Sequence, residues 1–357
     1  MRLALLTEIP APYRIPLFNA LSERLDLRVL FLAERDPRRG FYELHRDEWR
    51  FDHRVLRGPQ LRRGARWLVL NRGVLRELRR FRPDSVAVGG WNQPAFWVAL
   101  AYCRARRIPL LVWIESTARD ARSEARPLAL ARAAMVRGAS GAYVPGTAAA
   151  DYARSLGVEL VETAPNAVDA SIFERAAVDR SERNGCTFLY VGRLDREKGL
   201  GTLLEAFRDV PGELVLVGEG ADEERLRGLA GESVRFEGPK ERDELIAYYR
   251  DADVFVLPSH SEPWGMVLNE AAAAGLPLVA TEESGAAQDL IDGNGFRVPA
   301  DDVPALRDAL RRLADDSELR REYGARSLEL AKRFTPEAWA EGVASAAGRA
   351  RRRTGRR

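Results

Sequence analysis

Two glutamates separated by seven residues lie around a predicted helix start in the segment EPWGMVLNE. Glu262 precedes the helix and is held extended by Pro263, whereas Glu270 lies within the helix. Because an α-helix turns every ~3.6 residues, both carboxylates can face one cleft. Carboxylates accept hydrogen bonds from vicinal hydroxyls, so the pair is typical of a sugar site.

A purely structural explanation accounts for Glu262 better than for Glu270. An acidic residue near a helix N-terminus complements the helix dipole, which suffices for Glu262. Glu270 lies in the apolar helix VLNEAAAAG, where burial is expected and a carboxylate needs partners. The amides of Trp264, Gly265 and Met266 would point at the same place.

A second cluster of chemically useful residues is the segment GRLDREKG, which precedes a predicted helix. Its cations, Arg193 and Lys198, together with a helix N-terminus suit a diphosphate. Arginine is so abundant in this chain that Arg193 alone could belong to a solvated turn. Lysine contributes only three of the 56 Lys and Arg residues, and its compact charge is well suited to phosphate.

Alternating apolar runs and helical stretches position these residues. The pattern predicts parallel, doubly wound sheets, interrupted by a polar hinge and loop at 165–185, and hence two α/β domains at 1–165 and 170–330. Loops that follow parallel strands meet at one edge of a sheet, so both clusters should lie there. The predicted strands are Leu3–Thr7, Leu27–Leu32, Ser85–Val88, Leu110–Ile114, Gly141–Val144, Thr187–Val191, Leu214–Val217, Val234–Phe236, Val254–Leu257 and Leu278–Ala280.

Composition excludes several classes of protein. The 357 residues are 46% hydrophobic and 31% charged, which is too apolar for a disordered chain. No apolar run reaches the roughly 18 residues of a membrane span, and the first residues resemble a strand more than a secretion signal. Two distant cysteines, Cys103 and Cys186, exclude a disulfide framework, and three scattered histidines indicate no metal centre. The expected compartment is the cytoplasm.

Charge is distributed unevenly along the chain. Residues 1–165 carry 28 Lys and Arg against 17 Asp and Glu, residues 166–348 carry 22 against 36, and six arginines follow. The basic first half reflects either an arginine-rich composition or an anionic partner, such as a membrane surface carrying a lipid-linked acceptor. No helix-turn-helix or aromatic-basic pattern indicates nucleic acid binding.

The two clusters, continued by NEAAAAGLPLVATEESGAAQDLI, resemble the retaining glycosyltransferases of the GT-B fold, in particular family 4 or group 1. The resemblance is strongest over 186–300. It implies two facing Rossmann-like domains, the first binding the acceptor and the second a nucleotide sugar. It also implies a C-terminal helix at 331–348 that crosses back to the first domain, before a basic tail at 349–357 that we expect to be disordered.

The resemblance also implies roles for individual residues. Arg193 and Lys198 would bind the donor diphosphate, Glu262 the sugar hydroxyls and Glu270 the ribose. The loop at Glu237 would meet the base, and neither metal nor cofactor would be needed. The implied catalytic residues are Arg193, Lys198, Glu262 and Glu115, and the implied donor-binding residues are Gly192, Glu237, Gly238, Trp264, Gly265, Met266, Val267 and Glu270.

Two segments depart from the family pattern. The loop TEIPAPYRIPLF replaces a glycine pair, and its Arg14 either reaches the cleft or covers the surface. Glu115 stands where many members have histidine, and it either contacts donor or acceptor or pairs with an arginine such as Arg119. A third segment, GGWNQPAF, suits either sugar recognition or a structural loop.

The function implied is retaining transfer from a UDP- or GDP-linked sugar to a glycan, glycolipid or small acceptor in cell-surface polysaccharide or glycolipid synthesis. The enzyme would be cytoplasmic or peripheral at the inner face of the membrane. A nucleotide-sugar epimerase of the same plan and a non-catalytic sugar-binding protein are alternatives. A dinucleotide oxidoreductase is disfavoured, because Glu223 replaces the third glycine of the fingerprint.

Overall fold

The computed structural model describes residues 1–36, 44–63, 66–119, 126–177 and 185–355. The chain divides into two compact units, unit 1 (Met1–Asn166 with Pro336–Arg357) and unit 2 (Ala167–Thr335). Each unit is a parallel sheet with helices packed against it, as the alternating pattern predicts.

Unit 1 contains a seven-stranded parallel sheet within its described residues. Its central strands are mostly apolar and, apart from Arg2, buried, as expected of strands covered on both faces. Along the sheet the order is β3-β2-β1-β6-β7-β8-β9, with β1 (Arg2–Thr7), β2 (Asp26–Phe31), β3 (Asp52–Val55), β6 (Ser85–Val88), β7 (Leu110–Trp113), β8 (Gly141–Val144) and β9 (Val161–Thr163). The unit's first helices are α1 (Ile15–Arg24), α2 (Val74–Phe81), α3 (Pro94–Arg106), α4 (Arg126–Gly138) and α5 (Thr147–Ser155).

An antiparallel hairpin is inserted between β3 and α2. Its strands are β4 (Gln60–Arg63) and β5 (Arg66–Val69), and they form a separate two-stranded sheet. The sequence pattern did not predict this hairpin. Trp67 and Val69 of β5 are buried and belong to the core of unit 1.

Unit 2 contains a six-stranded parallel sheet in the order β12-β11-β10-β13-β14-β15 within its described residues. The strands are β10 (Thr187–Val191), β11 (Glu213–Val217), β12 (Val234–Gly238), β13 (Val254–Leu257), β14 (Leu278–Thr281) and β15 (Gly295–Val298). The helices are α6 (Ala170–Phe173), α7 (Leu200–Phe207), α8 (Glu223–Leu229), α9 (Arg242–Asp251), α10 (Met266–Ala273), α11 (Ala287–Leu290), α12 (Val303–Asp315) and α13 (Ser317–Ala331).

The last helix, α14 (Pro336–Thr354), belongs to unit 1 and differs in its bounds from the helix predicted at 331–348. Its Trp339 is fully buried, and its ring lies 5.5 Å from that of Trp113 and 6.0 Å from that of Phe18. The expectation of a disordered tail from 349 is wrong, because the helix continues to Thr354. Arg349 and Arg353 pair there with Glu162 and Glu159.

One further sequence expectation is modified. The polar stretch 165–185 was expected to be a hinge and a loop, but it contains α6 and a 3-10 turn, and 178–184 lie outside the described residues. Among the described helices, none is long and apolar enough to cross a membrane.

Candidate functional site

Lys198 and Glu262 form a largely buried ion pair at the carboxyl edge of the unit 2 sheet. Lys198 Nζ lies 2.6 Å from a carboxylate oxygen of Glu262, and their side chains are 10% and 19% exposed. Lys198 follows β10 and Glu262 follows β13, which are neighbouring strands. The pair therefore places a positive and a negative group side by side at this edge. The ammonium has three N–H donors, so its bond to Glu262 does not use all of them.

A glycine turn brings the two loops into contact. Gly199 has φ 67°, and a Cβ there would lie 1.9 Å from the carbonyl oxygen of Pro258. The His260 amide donates to the Glu197 carbonyl across the same boundary, at 2.8 Å. The loop after β10 therefore packs against the loop after β13, and this contact brings the Lys198 side chain next to Glu262.

Arg193 lies in the same loop as Lys198 and is 64% exposed in its side chain. Its guanidinium pairs with Asp195 and Glu197. The Tyr190 hydroxyl donates to the Arg193 carbonyl at 2.7 Å. Burial raises the pKa of Tyr190, Glu262 raises it further and Arg193 opposes the rise. Arg193 and Glu262 thus both influence the pKa of the Tyr190 hydroxyl. An anionic ligand that binds the Arg193 guanidinium would have to displace Asp195 and Glu197 from it.

Glu270 receives a hydrogen bond from a buried tyrosine. The Tyr249 hydroxyl of α9 lies 2.6 Å from a Glu270 carboxylate oxygen. Burial raises the pKa of Glu270 to about 7, while the Tyr249 bond and the positive charge of Arg242 act in the opposite direction. Glu270 therefore changes its charge near neutral pH, a behaviour that clusters at functional sites.

The N-terminus of α10 lies between the two glutamates. Gly265 has φ 95°, and a Cβ there would lie 3.2 Å from Glu262 Cγ. Trp264 is buried, and its indole N–H donates to the Asn269 side chain at 2.8 Å. The Trp264 ring thus fixes the turn, and the first-turn amides of Met266 and Val267 belong to the donor end of the helix.

The residues expected to meet a nucleotide base lie at the end of β12, which is a strand and not the expected loop. The Tyr248 hydroxyl donates to the Glu237 carboxylate at 3.0 Å, and Arg235 pairs with it at 3.2 Å. Gly238 has φ 68° and accepts a hydrogen bond from the Gly218 amide. Both residues therefore share the carboxyl edge of the sheet with Lys198.

Glu115 lies after β7 in unit 1, in a cluster with Arg14. The Arg14 guanidinium bonds Glu115 at 2.7 Å and is stacked 4.2 Å from the Trp113 ring. The Asn166 amide donates to the second Glu115 oxygen at 3.2 Å. The Arg14 side chain is only 16% exposed, so the alternative in which it covers the surface is wrong. Arg14 pairs with Glu115, the role that the sequence suggested for Arg119.

Within the segment GGWNQPAF, Gln93 has a structural role. This side chain is fully buried, accepts from the Val69 amide and donates to the Trp67 carbonyl, both at 3.0 Å. It also donates to Glu8, as does Asn92. Gln93 therefore fixes the hairpin strand β5 to unit 1.

Two family models match the chain in succession. The model of Glycosyltransferase Family 4 matches residues 17–172, and that of Glycosyl transferases group 1 matches residues 174–329. The chain belongs to the family 4, group 1 glycosyltransferases. The resemblance seen in the sequence is thereby confirmed, and the two models divide the chain close to the boundary between the two units.

Curated relatives of this family member align with about half of its residues. A phosphatidyl-myo-inositol mannosyltransferase of Mycobacterium leprae is 39% identical over 194 residues, 50% of this chain and 51% of the relative. A D-inositol 3-phosphate glycosyltransferase of Acidothermus cellulolyticus is 32% identical over 209 residues, 51% and 46% of the two chains. The chain thus spans about half the length of the curated relatives it matches.

Solved structures confirm the fold. The Anabaena protein HepE, solved in complex with UDP, superposes with a TM-score of 0.77 at 18% identity, covering 98% of this chain and all of that one. Sucrose-phosphate synthase from Thermosynechococcus elongatus gives 0.75 at 22% identity, with 98% of each chain covered. The family member therefore has the GT-B fold, with two Rossmann-like domains.

Sequence reasoning missed several residues that the structure adds to the site. Tyr249 lies within a helix, where an isolated tyrosine gives no functional signal. Asn166 follows Pro165 after β9, and its position at a strand end was a usable signal. Ser259 and Ser284 carry buried hydroxyls without a hydrogen-bond partner in the described part of the chain. Within that part, no three His, Cys, Asp or Glu residues are grouped to hold a metal ion.

Proposed function

We propose that this protein is a retaining glycosyltransferase that moves a sugar from a UDP- or GDP-linked donor to a hydroxyl acceptor. The buried Lys198–Glu262 pair at the carboxyl edge of unit 2 carries this proposal. The lysine can bind a phosphate, and the neighbouring carboxylate can bind sugar hydroxyls. A ligand that uses both must contain both a phosphate and a sugar, as a nucleotide sugar does. Family membership and the UDP and UDP-glucose complexes of HepE support it.

The reaction breaks the bond between the anomeric carbon and the diphosphate oxygen. A bond from that carbon to the acceptor oxygen forms on the same face of the sugar, and the acceptor proton passes to the departing phosphate. Lys198 and Arg193 stabilise the negative charge that develops on the leaving group. Glu262 orients the sugar through its hydroxyls. No metal or cofactor is part of this proposal.

The remaining donor contacts follow from their place on the same sheet edge. Glu270 accepts hydrogen bonds from the ribose hydroxyls, and the end of β12 at Glu237 and Gly238 contacts the base. The backbone at Gly192, Trp264, Gly265, Met266 and Val267 completes the donor site. In unit 1, Glu115 contacts the donor sugar or orients the acceptor hydroxyl, with Arg14 fixing its position.

The acceptor is a glycan, a lipid-linked glycan or a small molecule. Two relatives are named for inositol-containing acceptors, which makes inositol phosphates and phosphatidylinositol the first acceptors to test. The basic charge of residues 1–165 supports a cytoplasmic enzyme that is peripheral at the inner membrane face, in polysaccharide or glycolipid synthesis.

A donor screen tests the proposal directly. A bound donor stabilises the folded state by mass action, so thermal unfolding with UDP, GDP, ADP and their sugars should identify one nucleotide sugar. Transfer from that donor is then followed by NMR, which reports the anomeric configuration. An inverted product would contradict retention, and sugar rearranged without any acceptor would indicate an epimerase instead.

Variants of the ion pair separate catalysis from folding. We expect Lys198→Met to lower transfer about 100-fold or more, as removal of a group that stabilises developing charge does, while Lys332→Met in the same unit has no effect. Lys198→Met leaves Glu262 buried without its cation, which destabilises the fold. The double variant Lys198→Met/Glu262→Gln removes that charge. If the double variant regains transfer, the pair is structural and the site assignment is wrong.

A further inference from the structure

The β4–β5 hairpin presents an apolar face to solvent. Leu61 and Leu68 are direct cross-strand partners, so their side chains share a face, and they are 53% and 37% exposed. Leu70 is two residues beyond Leu68 and is 41% exposed. Trp67 and Val69 alternate with them and are buried, so both faces of this strand are apolar and only one is covered.

Hydrogen bonds hold the hairpin in this orientation. The buried Gln93 side chain binds the backbone of Trp67 and Val69, and the Trp67 indole donates to Gln60 at 3.0 Å. The Leu70 amide donates to the Pro59 carbonyl, which extends the pairing beyond β5. A register slip would bury the leucines but would break these bonds. The exposed leucines are therefore a fixed property of unit 1.

The same stretch is strongly basic. Residues 54–82 contain ten arginines and a single acidic residue, Glu77. Glu77 is 6% exposed and pairs with Arg76, so it offsets the charge of one of the ten arginines. Arg57 and Arg72 are joined by a backbone hydrogen bond at the base of the hairpin, and both are exposed.

Exposed leucines are concentrated in this basic stretch. Seven large hydrophobic side chains are exposed among the residues that the structure describes. Four of the seven belong to this stretch, namely Leu61, Leu68, Leu70 and Leu75. Scattered exposed leucines need no explanation, but a cluster within a stretch of net positive charge marks an interaction surface.

We propose that this hairpin surface, formed by Leu61, Leu68, Leu70, Arg57 and Arg72, docks on an anionic lipid bilayer. The leucines enter the boundary between headgroups and acyl chains, and the arginines contact lipid phosphates. Nucleic acid would satisfy the arginines but offers no apolar phase for three leucines. This proposal assigns the membrane contact to one hairpin, whereas the basic charge of residues 1–165 implicates the whole first half of the chain. It does not depend on the proposed glycosyl transfer.

Vesicle flotation of the full chain tests the surface without donor or acceptor. We expect binding to vesicles of 70% phosphatidylcholine and 30% phosphatidylglycerol, and little binding to phosphatidylcholine alone. Each arginine near an anionic surface contributes about fivefold in affinity, so Arg57→Gln/Arg72→Gln should weaken binding about 25-fold. The matched double variant of exposed unit 2 arginines, Arg208→Gln/Arg297→Gln, should bind like wild type.

The leucines are tested separately from the charge. Because each is already partly covered, Leu61→Ser/Leu68→Ser should weaken vesicle binding about tenfold. Leu229→Ser, in unit 2 and 39% exposed, should not weaken it. Thermal unfolding confirms that each variant is folded. Equal effects of Leu61→Ser/Leu68→Ser and Leu229→Ser would overturn the proposal.

Insertion can also be observed at a single position. Both native cysteines are buried, so Leu68→Cys allows an environment-sensitive dye to be attached selectively. Anionic vesicles should shift its emission to the blue, and the same dye at Leu229→Cys should not respond. No shift at position 68, or binding of the chain to RNA or DNA but not to vesicles, would show that the surface is not a membrane-docking site.

Discussion

At the level of single residues, Glu270 is a carboxyl group whose charge depends on its surroundings. Burial favours its neutral form, while the Tyr249 hydroxyl and Arg242 favour its ionised form. The balance leaves the pKa near 7, where a small change of environment alters the charge. An ionised carboxylate accepts two ribose hydroxyls, whereas a protonated one must donate a hydrogen to one partner.

Donor affinity should therefore depend on pH around neutrality. We expect the dissociation constant of the nucleotide to fall as pH rises from 6 to 8, with a midpoint near 7. Tyr249→Phe removes a hydrogen bond that lowers the pKa of Glu270, so the midpoint should move to higher pH. Isothermal titration calorimetry across this range measures both effects.

The Glu270 carboxyl should also make the unfolding free energy depend on pH. Its pKa is raised on folding from 4.5 to about 7, so the folded state binds the extra proton between these values. The unfolding free energy should then fall as pH rises from about 4.5 to about 7. In Glu270→Gln this part of the pH dependence should be absent. An unchanged profile in that variant would show that another group titrates.

At the level of elements, the site depends on two loops whose backbones approach each other closely at Gly199 and Pro258. Gly199→Ala should displace the loop after β10, because its Cβ would lie 1.9 Å from the Pro258 carbonyl oxygen, and its φ of 67° already disfavours any side chain. We expect a loss of about 1–3 kcal/mol in unfolding free energy, together with weaker nucleotide binding.

Gly293→Ala is the matched control for this substitution. Its φ is 72°, but no atom lies within 4 Å of the position of its Cβ. It therefore has the conformational cost of Gly199→Ala without the collision. If both variants bind nucleotide equally well, the contact between the loops does not position Lys198.

Much of the sheet was predictable because parallel central strands are buried on both faces. Strands such as β1 and β10 are uninterrupted apolar runs, which the pattern detects directly. The edge strands β3, β9 and β15 were missed, because their partial exposure allows polar residues to interrupt the run. The first hairpin strand, β4, was missed for a similar reason, since QLRR offers a single leucine, and the apolar β5 is only four residues long.

The candidate site was predictable to the extent that it depends on strand ends. Lys198 and Glu262 follow different strands, and the shared edge of a parallel sheet suffices to bring them near each other. The Tyr249 bond to Glu270 depends on how α9 packs, and no local pattern encodes that. The roles of both glutamates remain predictions.

At the level of the whole molecule, unit 1 is assembled from two distant parts of the chain. Its residues up to Asn166 are completed by α14, which follows all of unit 2. Trp339 on that helix packs among Phe18, Trp113 and Tyr143. Unit 2 is continuous in sequence and has its own hydrophobic core.

Folding of the two units should therefore respond differently to changes in α14. A fragment of residues 167–335 should unfold cooperatively by itself, whereas residues 1–166 without α14 should expose their aromatic core and aggregate. In the full chain, Trp339→Ala should destabilise unit 1 by about 3–5 kcal/mol, while the exposed Arg352→Ala should have little effect. Hydrogen exchange resolves the units separately: protection should fall in β1, β7 and β8 and be retained in β10 and β13. A uniform loss of protection across both sheets would mean that the chain unfolds as one cooperative body, so that α14 does not define a separate unit.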